Sequence, residues 1–369
     1  MFKYCIYVIL VVSNIIYGVI LATKKKDYTL SLGSFSISVE NILATFLMID
    51  LAYIAIVSRN IADLDVYKPL YDSGSSLMEP GYVFLSKHAL SFGIDFFLYR
   101  TIMLIICYAL MWWCLKKINI GINICLSLYA IYPFTIDVIQ YRNLIALSIV
   151  FCATVVLFDD KKFSTIRFVL IVLCASLVHR SAVTFLILIL AKPGRNQRMR
   201  RKVLVFIFSF ALLFSALMKI TPGVTQVLIR MLMSIDSERT VAYTKLSINW
   251  GFLLYWTMEL LYLFSALINR KQYLKVEKCQ EQNRNLAEFI YRLNICCSCL
   301  LPLLMINITF YRLYSNISIW NYMQLPLLLY SDKGNKRTIG IFVFCVAFAL
   351  NVMQNMAYNT DYLYFPIFA

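Results

Sequence analysis

Long apolar runs alternate with short polar ones from one end of the chain to the other. The first run covers 4–22, is long for a signal-peptide core, lacks a small-residue cleavage pattern, and is followed by Lys24-Lys25-Lys26. Further runs lie at about 42–57, 96–115, 119–136, 142–158, 165–178, 203–218, 250–268, 287–306, 316–330 and 338–356, with a short piece at 181–191. A stretch of roughly 20 apolar residues is what an α-helix needs to cross about 30 Å of hydrocarbon. The pattern therefore predicts an all-α fold, a polytopic transmembrane helical bundle of about 12 spans forming one integral membrane domain over 1–369. Within the polar stretch 58–93 the apolar segment 82–90 is too short to cross, and predicts an interfacial or re-entrant helix. The region 165–191 reads as one kinked helix or as two pieces broken at His179-Arg180, and the charge pattern favours two.

Composition agrees. Hydrophobic residues make up 61% of the 369 and charged residues only 15%, against about 45–50% and 25% in soluble domains. A soluble globular enzyme and a disordered chain are excluded. The net charge of +16 does not point to nucleic acid, because most bases sit in short clusters between apolar runs, as cytoplasmic loops do. The strongest cluster spans 192–202 and reads as a basic cytoplasmic loop. With it fixed, 58–93 becomes a first outer loop and 219–249 a second. The eleven cysteines lie mostly inside apolar runs and read as small hydrophobes. Cys296, Cys297 and Cys299 stand too close together for a zinc site.

The polar residues that remain fall on the outer side. The first loop carries Arg59, Asp63, Asp65, Tyr67, Tyr71, Glu79 and Tyr82. Tyr141, Arg142 and Asn143 open the fifth long run, His179 and Arg180 stand at the break, and Tyr311 and Arg312 lie in a late loop. Charged groups at membrane depth are costly and usually line a cavity or pair with one another. Guanidinium groups suit a forked grip on phosphate oxygens, and four separate segments each bring one. Phosphate loops, nucleophile elbows and His-Glu-x-x-His are absent. Asp63-Leu64-Asp65 is a lone Asp-x-Asp string.

These residues carry a resemblance. Arg59 through Asp63, Asp65 and Tyr67, followed by Glu79-Pro80-Gly81-Tyr82, is similar to the first outer loop of the EpsG family, Wzy-type polymerases of bacterial surface polysaccharide. Either Asp63 or Asp65 is the counterpart of the family's loop aspartate. Gly93-Ile94-Asp95, Gln140-Tyr141-Arg142-Asn143, His179-Arg180-Ser181 and Tyr311-Arg312-Leu313-Tyr314 resemble later family segments in the same order.

The resemblance implies a glycosyltransferase of the bacterial cytoplasmic membrane that joins undecaprenyl-diphosphate-linked repeat units at its outer face, making O antigen, capsule or exopolysaccharide. On that reading Arg142, Arg180 and Arg312, with Arg59, hold the diphosphate. His179, Asp65 and Glu79 are candidates for the group that takes the acceptor proton, His179 foremost. Tyr67, Tyr82, Tyr141 and Tyr311 meet the sugars. No cofactor and no metal are expected. The partners are a polyprenyl-diphosphate-linked oligosaccharide, membrane lipid and, as a further candidate, a chain-length regulator. A flippase for the same lipid and an O-antigen ligase are the rival readings, since both need basic residues facing the same headgroup.

Overall fold

The helix that opens at Phe96 shows how locally the fold is written. Asp95 accepts backbone N–H bonds from Phe97 (2.8 Å) and Leu98 (3.2 Å), which satisfies donors that a helix start leaves free. The helix is 23 residues long; Lys116 and Lys117 stand in its last turn, where they complement the helix dipole, and Asn119 turns left-handed at φ 52° to end it. The structure is a computed structural model. It describes residues 2–24, 28–32, 35–159, 161–192, 197–235, 251–274, 281–307, 310–331, 334–359 and 365–368. The chain divides into two compact units, 1–186 with 325–331 and 351–369, and 187–324 with 332–350.

The first unit holds α1 (Phe2–Lys24), α2 (Val39–Val57), α3 (Ala62–Asp72), α4 (Pro80–Ser91), α5 (Phe96–Ile118), α6 (Ile122–Ile131), α7 (Phe134–Ile139), α8 (Tyr141–Phe158) and α9 (Ser164–Val178). Helix α8 packs between α5 and α9, while α1, α2 and α6 pack on one another. Helices α5 and α8 start at the same end. At the opposite end Lys117 of α5 pairs with Asp159, the residue that closes α8 (3.5 Å), and Lys161 joins it (3.3 Å). The 18 residues of α8 span about 27 Å at 1.5 Å each, nearly one hydrocarbon thickness. Lys117 and Lys161 are therefore separated from the starts of α5 and α8 by about a membrane's depth.

The second unit contains Gln197–Ile220, Pro222–Ile235 and Phe252–Tyr273, then Glu281–Cys297 continuing through a 3-10 turn into Leu301–Ile306, and most of Asn335–Asn359. Glu288 accepts from Arg270 and from Arg292 (2.7 Å), and Arg292 also donates to the Lys192 carbonyl (3.1 Å). That pairing accounts for Arg292, a charge inside an apolar run. Asn294 donates to Asn321 (2.7 Å) and Asn269 to the Gln324 carbonyl (3.0 Å).

The helical membrane architecture expected from hydropathy is present. Among the described residues eight helices are long and apolar enough to cross a bilayer, which makes this a multi-pass membrane protein. The expected count of about 12 is not shown, and the other apolar runs form shorter elements. The run 119–136 divides into α6 and α7 about Pro133. The run 316–330 divides into Ser318–Tyr322 and Gln324–Tyr330, after Tyr311–Ser315. The region 165–191 breaks where expected: α9 ends at Val178, His179 is extended (φ −150°, ψ 116°), and a 3-10 helix covers Arg180–Ala191. Three features depart from the expectation. A two-stranded antiparallel hairpin, β1 (Thr29–Leu32) with β2 (Phe35–Ser38), precedes α2. The loop 58–93 holds two helices, α3 and α4, since α3 has too few apolar positions to register as a run. Part of 219–249 is helical, Pro222–Ile235, and 236–250 lies outside the described residues, as does 193–196 of the basic loop.

Candidate functional site

The tripeptide Glu79-Pro80-Gly81 sets the geometry of the site. Glu79 is the extended residue before α4, and Pro80 takes the first helical position, where its missing N–H costs nothing. Gly81 lies against α9: a Cβ there would stand 2.8 Å from both Cβ and the carbonyl oxygen of Leu177. Only a glycine lets α4 cross α9 this closely. The crossing carries the Glu79 carboxylate to the residue that ends α9, His179.

Glu79 is buried and double-handed. Its Oε2 accepts from Arg142 Nη1 at 2.5 Å and its Oε1 accepts from His179 Nδ1 at 3.2 Å. Burial pushes the Glu79 carboxyl upward, but the His179 hydrogen bond and the Arg142 charge outweigh it and bring it down to about 2. Glu79 is thus a carboxylate at neutral pH. Because Nδ1 of His179 faces a carboxylate, it carries a proton, and Nε2 is the nitrogen through which the ring exchanges its other proton.

An aromatic shell encloses the pair. The Arg142 guanidinium lies 4.5 Å from the Tyr67 ring centroid and 5.5 Å from that of Tyr82, within the range of cation–π attraction. Its Nη2 donates to the Tyr67 hydroxyl at 3.4 Å, which itself donates to Asp63 Oδ2 at 3.3 Å. The Tyr82 and Tyr141 hydroxyls are hydrogen-bonded to each other. Burial raises the Tyr82 phenol to about 12 despite that bond and the nearby Arg142 charge.

Six of the residues singled out in the sequence therefore meet: Tyr67, Glu79, Tyr82, Tyr141, Arg142 and His179. Their disposition differs in detail from the expected one. Arg142 is 4% exposed and salt-bridged to Glu79, so its charge is already met inside the protein rather than held out for a phosphate. Tyr82 and Tyr141 are buried, with their rings against protein; Tyr67 is the half-exposed member. Arg180, next in the chain to His179, is exposed. Asp65 is exposed on α3. Arg59 is exposed with its guanidinium 4.8 Å from the Phe97 ring centroid. Tyr311 and Arg312 belong to the second unit, where Tyr311 is buried against Tyr255 (ring centroids 4.6 Å) and hydrogen-bonded to Glu259, and Arg312 is exposed. Among the described residues no three histidine, cysteine, aspartate or glutamate side chains converge as metal ligands would.

Arg100 escaped the sequence reading. It sits in the first turns of α5, 1% exposed, and donates to the carbonyls of Ala55 (2.8 Å) and Ile56 (3.3 Å). Those oxygens are among the last of α2, which no helical donor satisfies. An arginine inside an apolar run is itself the signal for such a role.

No curated protein and no solved structure matches the chain significantly. A family model does, over residues 41–368, and its match spans the loop that carries Glu79, the start of α8, the His179 break and the Tyr311-Arg312 segment. The chain belongs to the EpsG family.

Proposed function

We propose that this protein polymerises surface polysaccharide at the outer face of a bacterial cytoplasmic membrane, transferring a chain from one undecaprenyl diphosphate to a sugar hydroxyl of the next lipid-linked repeat unit. The observation that carries the reading is the Arg142–Glu79–His179 chain, which holds the imidazole by Nδ1 beside an exposed arginine. Family membership supports a role in polysaccharide polymerisation. The location of the lysine-rich ends of α5 and α8, a membrane's depth away from this chain of residues, is consistent with an outer-face site.

In this reading His179 Nε2 takes the proton of the acceptor hydroxyl. The oxygen forms a bond to the anomeric carbon as the bond to the diphosphate oxygen breaks, and the bonding pair leaves with the diphosphate. Charge grows on that leaving group in the transition state, so fixed cations there lower the barrier. Arg180 is the primary cation, with Arg59 as a further one. Glu79 orients the ring, as the carboxylate of a Ser-His-Asp triad does, and Arg142 fixes Glu79. Tyr67 meets the sugar.

The test is the polysaccharide ladder of a deletion strain complemented with His179→Ala or Arg180→Ala. Single-repeat products with normal membrane levels of the variant are expected. Normal ladders from both variants would overturn the reading. Repeat units trapped on the inner side would indicate a flippase, and free lipid-linked polymer would indicate a ligase.

A further inference from the structure

Helix α9 presents four apolar side chains outward at helical spacing, Ile166, Leu170, Leu173 and Leu177, each between 42% and 57% exposed. They form one stripe about 16 Å long at 1.5 Å per residue. On α4 the exposed Phe84 and Leu85 lie on the same flank as Gly81, the residue that touches α9 at Leu177. The stripe ends at the chain break. Two residues beyond Leu177 stands His179, and then Arg180, whose exposed guanidinium has no ion pair among the described residues. The outward residues Leu98, Ile102 and Ile105 of α5 also begin near an exposed guanidinium, Arg59 beside Phe97, but α9 is the one of these two helices whose stripe ends at a histidine followed by an arginine.

An apolar track that terminates in an exposed guanidinium is complementary to a long hydrocarbon with an anionic head. We infer that the α9 stripe, flanked by Phe84 and Leu85 of α4, seats the isoprenoid tail of a polyprenyl diphosphate, with the diphosphate at Arg180. This rests on the proposed function for the identity of the headgroup and adds where the tail lies. Helix α4 thereby acquires a second role, since the helix that delivers Glu79 to His179 also walls one side of the tail's path. The lipid enters from the bilayer along α9, and its reactive end arrives where Nε2 of His179 can meet an acceptor.

Photo-crosslinking in nanodiscs tests this without turnover. The full-length protein carries a benzophenone amino acid at Leu173, at Leu177 or, as a control, at the exposed Ile9 of α1, and the probe is radiolabelled undecaprenyl diphosphate bearing no sugar. Labelling at 173 and 177 should exceed that at 9 by about tenfold, and Arg180→Ala should lower it by a similar factor, the expected worth of one lost charge-assisted contact. Equal labelling at all three positions would mean that the stripe meets bulk lipid only. Crosslinked protein dimers in place of lipid adducts would assign the stripe to a second copy. Either result overturns the inference. Specific labelling from a protein that builds no polymer leaves the tail site standing and removes the polymerase reading; polymer without specific labelling does the reverse.

Discussion

Glu79 Oε2 and Arg142 Nη1 meet at 2.5 Å, 63 residues apart in sequence. The side chains are 2% and 5% exposed. A buried pair of this kind punishes removal of one partner more than removal of both, because the survivor is left as an uncompensated charge. Glu79→Leu and Arg142→Leu should each lower stability by about 3–5 kcal/mol, while the double variant should lie above either single one. Thermal unfolding of the purified proteins in detergent measures this. Additive losses would show that the two charges do not depend on each other.

The Gly81 contact makes a sharper prediction, since it involves the Leu177 backbone. Gly81→Ala should cost about 1–3 kcal/mol, the usual range for forced overpacking. It should also shorten polymer by pulling Glu79 away from His179. Leu177→Ala should not rescue it, because alanine keeps both the Cβ and the carbonyl oxygen that stand 2.8 Å from the added methyl. Recovery in the double variant would locate the clash in the leucine side chain beyond Cβ instead.

Arg180 separates function from folding. It is exposed and unpaired among the described residues, so Arg180→Ala should leave the unfolding midpoint near that of the wild type while reducing polymer yield by about tenfold or more. Arg180→Lys should recover only part, as an ammonium lacks the planar fork. A full recovery by lysine would reduce the role of Arg180 to a point charge.

The depressed acidity of Glu79 fixes a pH window. Its carboxyl falls from 4.5 to about 2 on folding. The stability it contributes is therefore fully present above about pH 4.5 and is lost as pH falls through 2. The difference in unfolding midpoint between the wild type and Glu79→Gln should be constant from neutral pH down to about 5 and shrink below that. A difference that instead shrank between pH 8 and 6 would assign the linkage to another group.

Apolar periodicity, Lys/Arg clustering and capping residues such as Asp95 act over a few neighbouring positions, so helices α1, α2, α5 and α8 and the break at His179 were legible in the chain itself. So were the segments that carry the site, because a charge or a Glu-Pro-Gly turn among apolar runs stands out wherever it falls. What no local pattern could show is who partners whom. Arg142, read alone, is a cation available to a phosphate; only the α4–α9 crossing at Gly81 brings Glu79 to it and to His179, 100 residues away. Likewise α3 is too polar to register in hydropathy, and Arg100 is hidden within an apolar run, yet packing turns the one into the carrier of Tyr67 and the other into the cap of α2. Hydropathy is a sum over adjacent residues, whereas the pairing of buried charges is decided by the distance between atoms far apart in the chain, and that distance exists only once the helices have packed.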